Sequence, residues 1–424
     1  MARGLYSLLW LLATPLIGLR LLWRSRKQPE YRRHLGERYG FYGSTPPAAP
    51  LIWVHAVSVG ETRAAQPLIE GLLARWPGHR ILLTGMTPTG REAGRAVYGE
   101  RVLQAYLPYD YPGATRRFLA HFRPAFGVLM ETEIWPNLLA ACAARKLPVM
   151  LANARLSERS ARGYGRLPAL ARPAFRALAG VCAQTADDAG RIAALGATPV
   201  EACGNLKFDV RPDPEKIALG EHWREAIGTR PVWLAASTRE GEEALLLAAW
   251  RRVATPDALL ALVPRHPQRF GEVADLLAQQ GWSWRRRSDG LPEADTAVWL
   301  GDSMGEMAAY YRLADLAFIG GSLLPLGGQN LIEAAACACP VLVGPHTFNF
   351  LQATEDAIAA GAARRVNDAE ALASAVRELL ADAPTDTGPL SAMRRAAGDF
   401  ARAHRGAAER TLALIARWSD RAGR

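Results

Sequence analysis

Gly320-Gly321-Ser322-Leu323-Leu324-Pro325-Leu326-Gly327-Gly328-Gln329-Asn330-Leu331-Ile332-Glu333, running on into an Ala-rich segment and then Pro340-Val341-Leu342-Val343, is the stretch around which the chain is arranged. The apolar run before it, residues 316–319, reads as a buried strand ended by two glycines. The second pair, Gly327 and Gly328, has no Cβ and lets the backbone come close to a ligand. Asn330 reads as the N-cap of an Ala-rich helix, whose free N–H groups and dipole make a seat for an anion. Glu333, about one turn in, is placed to accept hydrogen bonds from ligand hydroxyls. The same residues equally fit a tight strand-to-helix turn in which Glu333 only favours the positive helix end.

Outward from this stretch the strand-turn-helix pattern recurs. On its own side of the chain, strands are expected at 232–236, 259–263, 296–300, 316–319 and 341–343, with helices over 242–252 and 304–313 and an amphipathic helical tail from 390 to 418. Before it, strands are expected at 51–55, 80–84, 102–106, 126–130, 149–153, 180–183 and 200–203. Alternation of this kind implies parallel sheets covered on both faces. Near 209–214 the chain turns Pro- and Asp-rich, an interdomain joint, and Pro46, Pro47 and Pro50 mark an earlier linker. The expected division is an anchor and basic flank over 1–30, one α/β domain over 31–209 and a second over 210–424. Two open α/β domains in series place a cleft at the carboxyl ends of their strands.

Residues 4–23 are almost wholly apolar, with Arg20 the single charge, and as a helix they match the thickness of a bilayer core. Arg24, Arg26, Lys27, Arg32, Arg33 and Arg38 follow, a cluster that favours the cytoplasmic side and anionic headgroups. A short span and a monotopic anchor both fit. The whole chain carries a formal charge of +10, which points to an acidic partner. Aromatic and basic residues do not interleave as in nucleic-acid modules, so nucleic acid is not the expected partner. Cys142, Cys182, Cys203, Cys337 and Cys339 lack metal-ligand spacing and read as reduced core fillers. With no Asp-x-Asp and no His cluster, a bound metal is not indicated.

Several strand-end turns carry groups suited to chemistry. In His55-Ala56-Val57-Ser58-Val59-Gly60-Glu61-Thr62, Glu61 suits a general base if its pKa is raised, while Ser58 and Glu61 also match a capping box. A helix that starts nearer residue 64 would leave Glu61 in a loop, and Pro67 in a first turn fits that start. Glu131 and Glu133 end another strand, either as a pair that binds a sugar's hydroxyls or as partners of Arg155 or Arg159 that hold loops together. Ser237 and Thr238 sit at a third turn, where capping is the simpler role for Thr238. Arg265, between Pro264 and Pro267 and beside His266, presents its planar fork in fixed geometry for a phosphate or a base, or makes a surface ion pair. Met304, Gly305 and Glu306 lie in a turn expected to neighbour the Gly320-Gly321 element in the sheet. Lys207, near the joint, can reach an anionic group.

Many of these residues fall in segments that together resemble the bacterial 3-deoxy-D-manno-octulosonic acid (Kdo) transferases, glycosyltransferases of GT-B architecture. The segments are RYGFY (38–42), HAVSVGET (55–62), TGMTPTG (84–90), LPYD (107–110), METEIWPN (130–137), NARLSERSARGY (153–164), GNLKFD (204–209), PRHPQRF (264–270), GDSMGEM (301–307), GGSL (320–323) and GPHTFNF (344–350). One departure is Leu331, where the family commonly has proline; its loss should loosen the turn and keep the anion seat. The resemblance implies two Rossmann-like domains facing a central cleft, an anchor in the inner membrane and catalytic domains on the cytoplasmic side. It implies transfer of Kdo from CMP-Kdo to the lipid A precursor, without metal or cofactor, with inversion, and with Glu61 as base. It assigns CMP contacts to Pro264, Arg265, His266, Met304, Gly305, Glu306, Asn330, Leu331, Ile332 and Glu333. Two rival functions are a GT-B enzyme that uses another nucleotide sugar and a non-enzymatic, membrane-attached nucleotide-binding protein.

Overall fold

The computed structural model describes residues 1–43, 45, 48–253, 255, 257–381, 383 and 387–422. Pro46 and Pro47 of the expected linker lie outside the described residues. The chain forms two compact units, Met1–Val210 with Arg405–Arg424, and Arg211–His404.

The first unit is built on seven strands, β1 (Leu51–His55), β2 (Arg80–Gly85), β3 (Val102–Tyr106), β4 (Phe126–Met130), β5 (Val149–Ala154), β6 (Gly180–Ala183) and β7 (Val200–Ala202). Their order is β3-β2-β1-β4-β5-β6-β7, and every pairing is parallel. Each residue of β1 and β4 is buried, as expected where helices cover both faces of a sheet. One face packs Trp53 and Leu151 against Phe118, Leu138 and Phe175. The other packs Val54 and Val128 against Leu68, Leu72 and Ile415.

The second unit repeats the plan with β8 (Val232–Thr238), β9 (Leu259–Pro264), β10 (Trp284–Arg286), β11 (Val298–Leu300), β12 (Leu316–Ile319), β13 (Val341–Val343) and β14 (Ala363–Arg365). Their order is β10-β11-β9-β8-β12-β13-β14, again all parallel. In both units the first strand lies inside the sheet with later strands on either side of it, and in the second unit the chain reaches the edge strand β10 before it fills the place of β11.

This winding corrects one expectation. The turn after β11 does not neighbour the Gly320-Gly321 turn after β12, because β9 and β8 lie between them. A second correction concerns the tail. The helical stretch from 390 breaks into Pro389–Ala403 and Ala407–Ala422, with Gly406 in the left-handed region (φ 94°). The last helix leaves the second unit and joins the first, so the 31–209 and 210–424 division does not hold there. Its apolar face explains the return, since Ala407, Ala408, Leu414 and Ile415 are buried in the first unit's core. Asp209 fixes the crossing by accepting the N–H groups of Gly406 and Ala408, both at 2.6 Å.

Ala2–Lys27 is one continuous helix through Pro15. Among the described residues it is the one helix long and apolar enough to cross a membrane, with a mean hydropathy of 1.7.

Candidate active-site residues on the two sheets

In the first unit the strand order reverses between β1 and β4, the position where open α/β sheets form a crevice for ligands. Glu61 follows β1, and Glu131 and Glu133 follow β4, so the topology gathers three carboxylates at this point. Glu61 is in the first turn of the helix Val59–Ala64, not in a loop before residue 64, and Pro67 begins a separate helix, Gln66–Arg75. The capping arrangement forms: Ser58 Oγ accepts the Glu61 N–H at 3.3 Å and donates to Glu61 Oε1 at 3.0 Å. Val57 N–H donates to Oε2 at 2.9 Å. Capping and chemistry are compatible here, because each carboxylate oxygen keeps a lone pair beyond its one bond. Burial pushes the Glu61 carboxyl up to about 7, helped by the Glu131 charge and to a lesser degree by Glu133, against the Val57 N–H and the Ser58 hydroxyl. Gly60 is exposed in the same turn.

Glu131 has a left-handed backbone (φ 56°) and meets Lys207 Nζ at 3.5 Å. Lys207 thus holds the Glu131 loop from the side of the joint, and Thr132 Oγ1 donates to the Arg155 carbonyl at 2.5 Å. The short helix of Lys207 is placed by Asn153, whose Oδ1 accepts the Leu206 N–H at 3.0 Å. Glu133 accepts the Trp135 indole N–H at 2.7 Å, and burial raises its pKa. His55, at the end of β1, is fully buried. Its Nδ1 lies 2.9 Å from Thr84 Oγ1 and 3.1 Å from the Thr84 carbonyl, and its Nε2 lies 3.8 Å from Glu133. Burial lowers its pKa to about 3, so the ring is neutral. The sequence reading placed His55 in a motif without giving it a part in this cluster.

In the second unit the turns after β11, β9, β8 and β12 line the carboxyl edge in that order. The residue that ties two of them together was missed. Glu242 is fully buried and accepts N–H groups from Arg239 (3.0 Å), Gly321 (2.5 Å) and Leu323 (3.1 Å). Thr238 is also fully buried, and its hydroxyl donates to Glu243 at 3.0 Å, which ties the strand end to the following helix. A Cβ on Gly320 would stand 2.4 Å from the Ser237 carbonyl, and one on Gly327 would stand 2.4 Å from the Asn349 side chain. Gly320 is therefore required by the backbone of the neighbouring turn, and Gly327 by its left-handed backbone (φ 91°).

The helix after Asn330 is shorter than expected. It spans Ile332–Ala336, with Leu331 at the N-cap position, so its dipole is slight and the anion seat is correspondingly weak. Asn330 still organises the turn: its Oδ1 accepts the Ile332 N–H at 3.2 Å and its Nδ2 donates to Glu333 at 3.1 Å. Leu331 and Ile332 are buried, which leaves only their backbones for any ligand.

Cations dominate the β8 and β9 ends. His266 is exposed, and burial together with Arg239, Arg265 and Arg269 lowers its pKa. Arg265 is exposed beyond the buried Pro264, and its N–H donates to the Thr238 carbonyl at 3.0 Å. Buried Tyr311 feels both Glu333 and Arg265, which links the turn after β12 to that after β9. In the turn after β11, Met304 is exposed, Gly305 has φ 80° and Glu306 accepts from Ser303 Oγ at 2.6 Å. Glu306 also pairs with Arg287 at 3.3 Å. An edge with guanidinium groups beside amide and carboxylate acceptors suits a ligand with a phosphate and free hydroxyls.

A family model described as 3-deoxy-D-manno-octulosonic-acid transferase (kdotransferase) matches residues 33–210. The chain is 46% identical over 433 residues to the 3-deoxy-D-manno-octulosonic acid transferase of Bordetella pertussis, covering 99% of this chain and all of that one. It is 41% identical over 392 residues to the protein of the same name from Haemophilus influenzae, covering 90% of this chain and 91% of that one. Among solved structures, a glycosyltransferase from Rickettsia africae aligns over 88% of this chain and 99% of its own, with a TM-score of 0.58 and 14% identity, a likeness of fold alone.

Proposed function

The chain belongs to the 3-deoxy-D-manno-octulosonic acid (Kdo) transferases, and on that premise we propose that it moves Kdo from CMP-Kdo to a hydroxyl of the lipid A precursor, with Glu61 as the base. The observation that carries this reading is the Glu61 carboxyl itself, half-buried at the β1–β4 switch point with a pKa near 7. A base poised near the operating pH combines an available anionic form with useful proton affinity. In the step proposed, Glu61 takes the acceptor hydroxyl proton as that oxygen bonds to the anomeric carbon of Kdo. The bond from that carbon to the CMP phosphate oxygen breaks, its electron pair leaves with CMP, and attack from the opposite face inverts the donor configuration. Oxocarbenium character in the transition state calls for charge stabilisation on the phosphate, a part this reading gives to Arg265, supported by the cluster of Arg239, Arg265 and Arg269 around His266. Asn330, Glu306 and Glu333 are the candidate partners of the nucleotide's hydroxyls and base, and no metal or cofactor enters this reading. Attachment to the inner membrane through Ala2–Lys27, with the catalytic units on the cytoplasmic side and anionic lipid beside the arginines, would bring the acylated acceptor within reach.

The test is Glu61→Gln, which keeps an acceptor for the Val57 N–H. With CMP-Kdo and acceptor, CMP release and product mass should report a kcat lower by roughly 10²–10⁴. CMP affinity and thermal stability should stay unchanged. A variant with wild-type turnover defeats the assignment, and one that loses stability in step with turnover makes Glu61 a capping residue only.

A further inference from the structure

The first helix carries two different faces along its whole length. One face is held by the body of the first unit. Ser7 Oγ donates to Asn137 at 3.2 Å, and Thr14 Oγ1 is 2.8 Å from the Tyr111 hydroxyl. The Trp10 ring lies 6.0 Å from Tyr109, 5.6 Å from Tyr111 and 6.3 Å from Trp135. Near the far end, buried Ser25 accepts from Arg32 Nε at 2.9 Å. The spacing 7, 10, 14, 25 is that of a single helical face. On the opposite face Leu5, Leu8, Leu9, Leu12, Leu16 and Leu19 are each at least half exposed.

We propose that this helix lies flat in one leaflet, its leucine ridge sunk among acyl chains and its other face on the first unit, and does not cross the bilayer. The proposal deepens the membrane attachment put forward above and rests on it for the choice of lipid as the occupant. Two observations carry it. First, contacts with the body of the unit run from Ser7 through Trp10 to Thr14, the middle of the apolar stretch, so a crossing helix would take its neighbours into hydrocarbon with it. Among them is the helix Pro168–Arg176, which packs on the first helix and carries the exposed Arg172 and Arg176. Exposed cations carried into hydrocarbon are strongly disfavoured. Second, the charge pattern fits a headgroup plane: the sequence has no acidic residue before Glu30, whereas Arg20, Arg24 and Arg26 are exposed. A helix lying in the interface buries its apolar face while cations stay at headgroup level. A second copy of the chain would cover the leucines equally well but would gain nothing from facing like-charged arginines.

The experiment uses the full chain with a nitroxide on Leu5→Cys, Leu12→Cys or Leu19→Cys, the native cysteines being buried. Each is bound to vesicles of phosphatidylethanolamine and phosphatidylglycerol, and label depth is read from the balance of oxygen and nickel-chelate collisions. A flat helix gives three similar shallow depths, about 5–10 Å below the headgroups. A crossing helix gives depths for residues 5 and 19 that differ by up to about 20 Å, from a rise near 1.5 Å per residue, and that result overturns the proposal while leaving attachment intact. Failure of the chain to bind vesicles overturns both. Spin–spin broadening between copies that persists with and without lipid overturns it in favour of self-association.

Discussion

His55 sets a limit on the acid stability of the first unit. Its pKa falls from 6.5 to about 3 on folding because burial disfavours the charged ring. Between those values the unfolded chain binds a proton that the folded chain does not. The stability it contributes is complete above 6.5 and is lost as the pH falls toward 3. Glu61 works with the opposite sign: with its pKa raised to about 7, its contribution is full below the ordinary carboxylate range and lost as the pH rises through 7. His55→Asn should therefore flatten the fall in unfolding free energy on acidification, measured by denaturant titration at several pH values. An unchanged acid slope would remove His55 from this role. The sequence placed Glu61 and the Glu131–Glu133 pair on strand-end rims, and the fold brings them to one switch point. It did not reveal that Lys207 meets Glu131 or that His55 faces Glu133, since both contacts join residues more than seventy positions apart.

At the scale of elements, one buried carboxylate holds the turn after β12 to the turn after β8. Glu242 accepts three backbone N–H groups, two of them from residues 79 and 81 positions away. Glu242→Ala would leave these donors without partners and should cost about 3–5 kcal/mol, with Glu242→Gln retaining part of the loss. Chemical unfolding of the second unit reads this directly, and a change under 1 kcal/mol would contradict it. From sequence, Glu242 was only an acid in the first turn of a helix. The central strands were legible because their residues are apolar without interruption. The edge strands β10 (WRR) and β14 (ARR) were not, because arginine-rich three-residue edges carry neither an apolar run nor an alternation. The helix expected at Asn330 began late because the Asn330 side chain closes a local turn with Ile332 before the helix starts.

At the scale of the whole chain, the last helix belongs to the unit that begins the sequence, and amphipathicity alone could not say which core it would join. A chain ending at His404 should lose the burial of Leu414 and Ile415, at least about 3 kcal/mol, from the first unit. Calorimetry should then show the first unit melting earlier with the second unit's transition in place; a shift of both, or of the second alone, would contradict the assignment. Asp209→Ala, which removes the acceptor for Gly406 and Ala408, should produce a smaller shift of the same kind. Single-turnover Kdo transfer followed across pH reads out whether Glu61 takes the acceptor proton in the proposed reaction. The wild-type rate should climb through a titration near 7 and level off above it, as the carboxyl ionises. Glu61→Gln should be slower by roughly 10²–10⁴ and lack that rise. A variant that keeps the same rise at a rate within a few-fold of wild type would contradict the account.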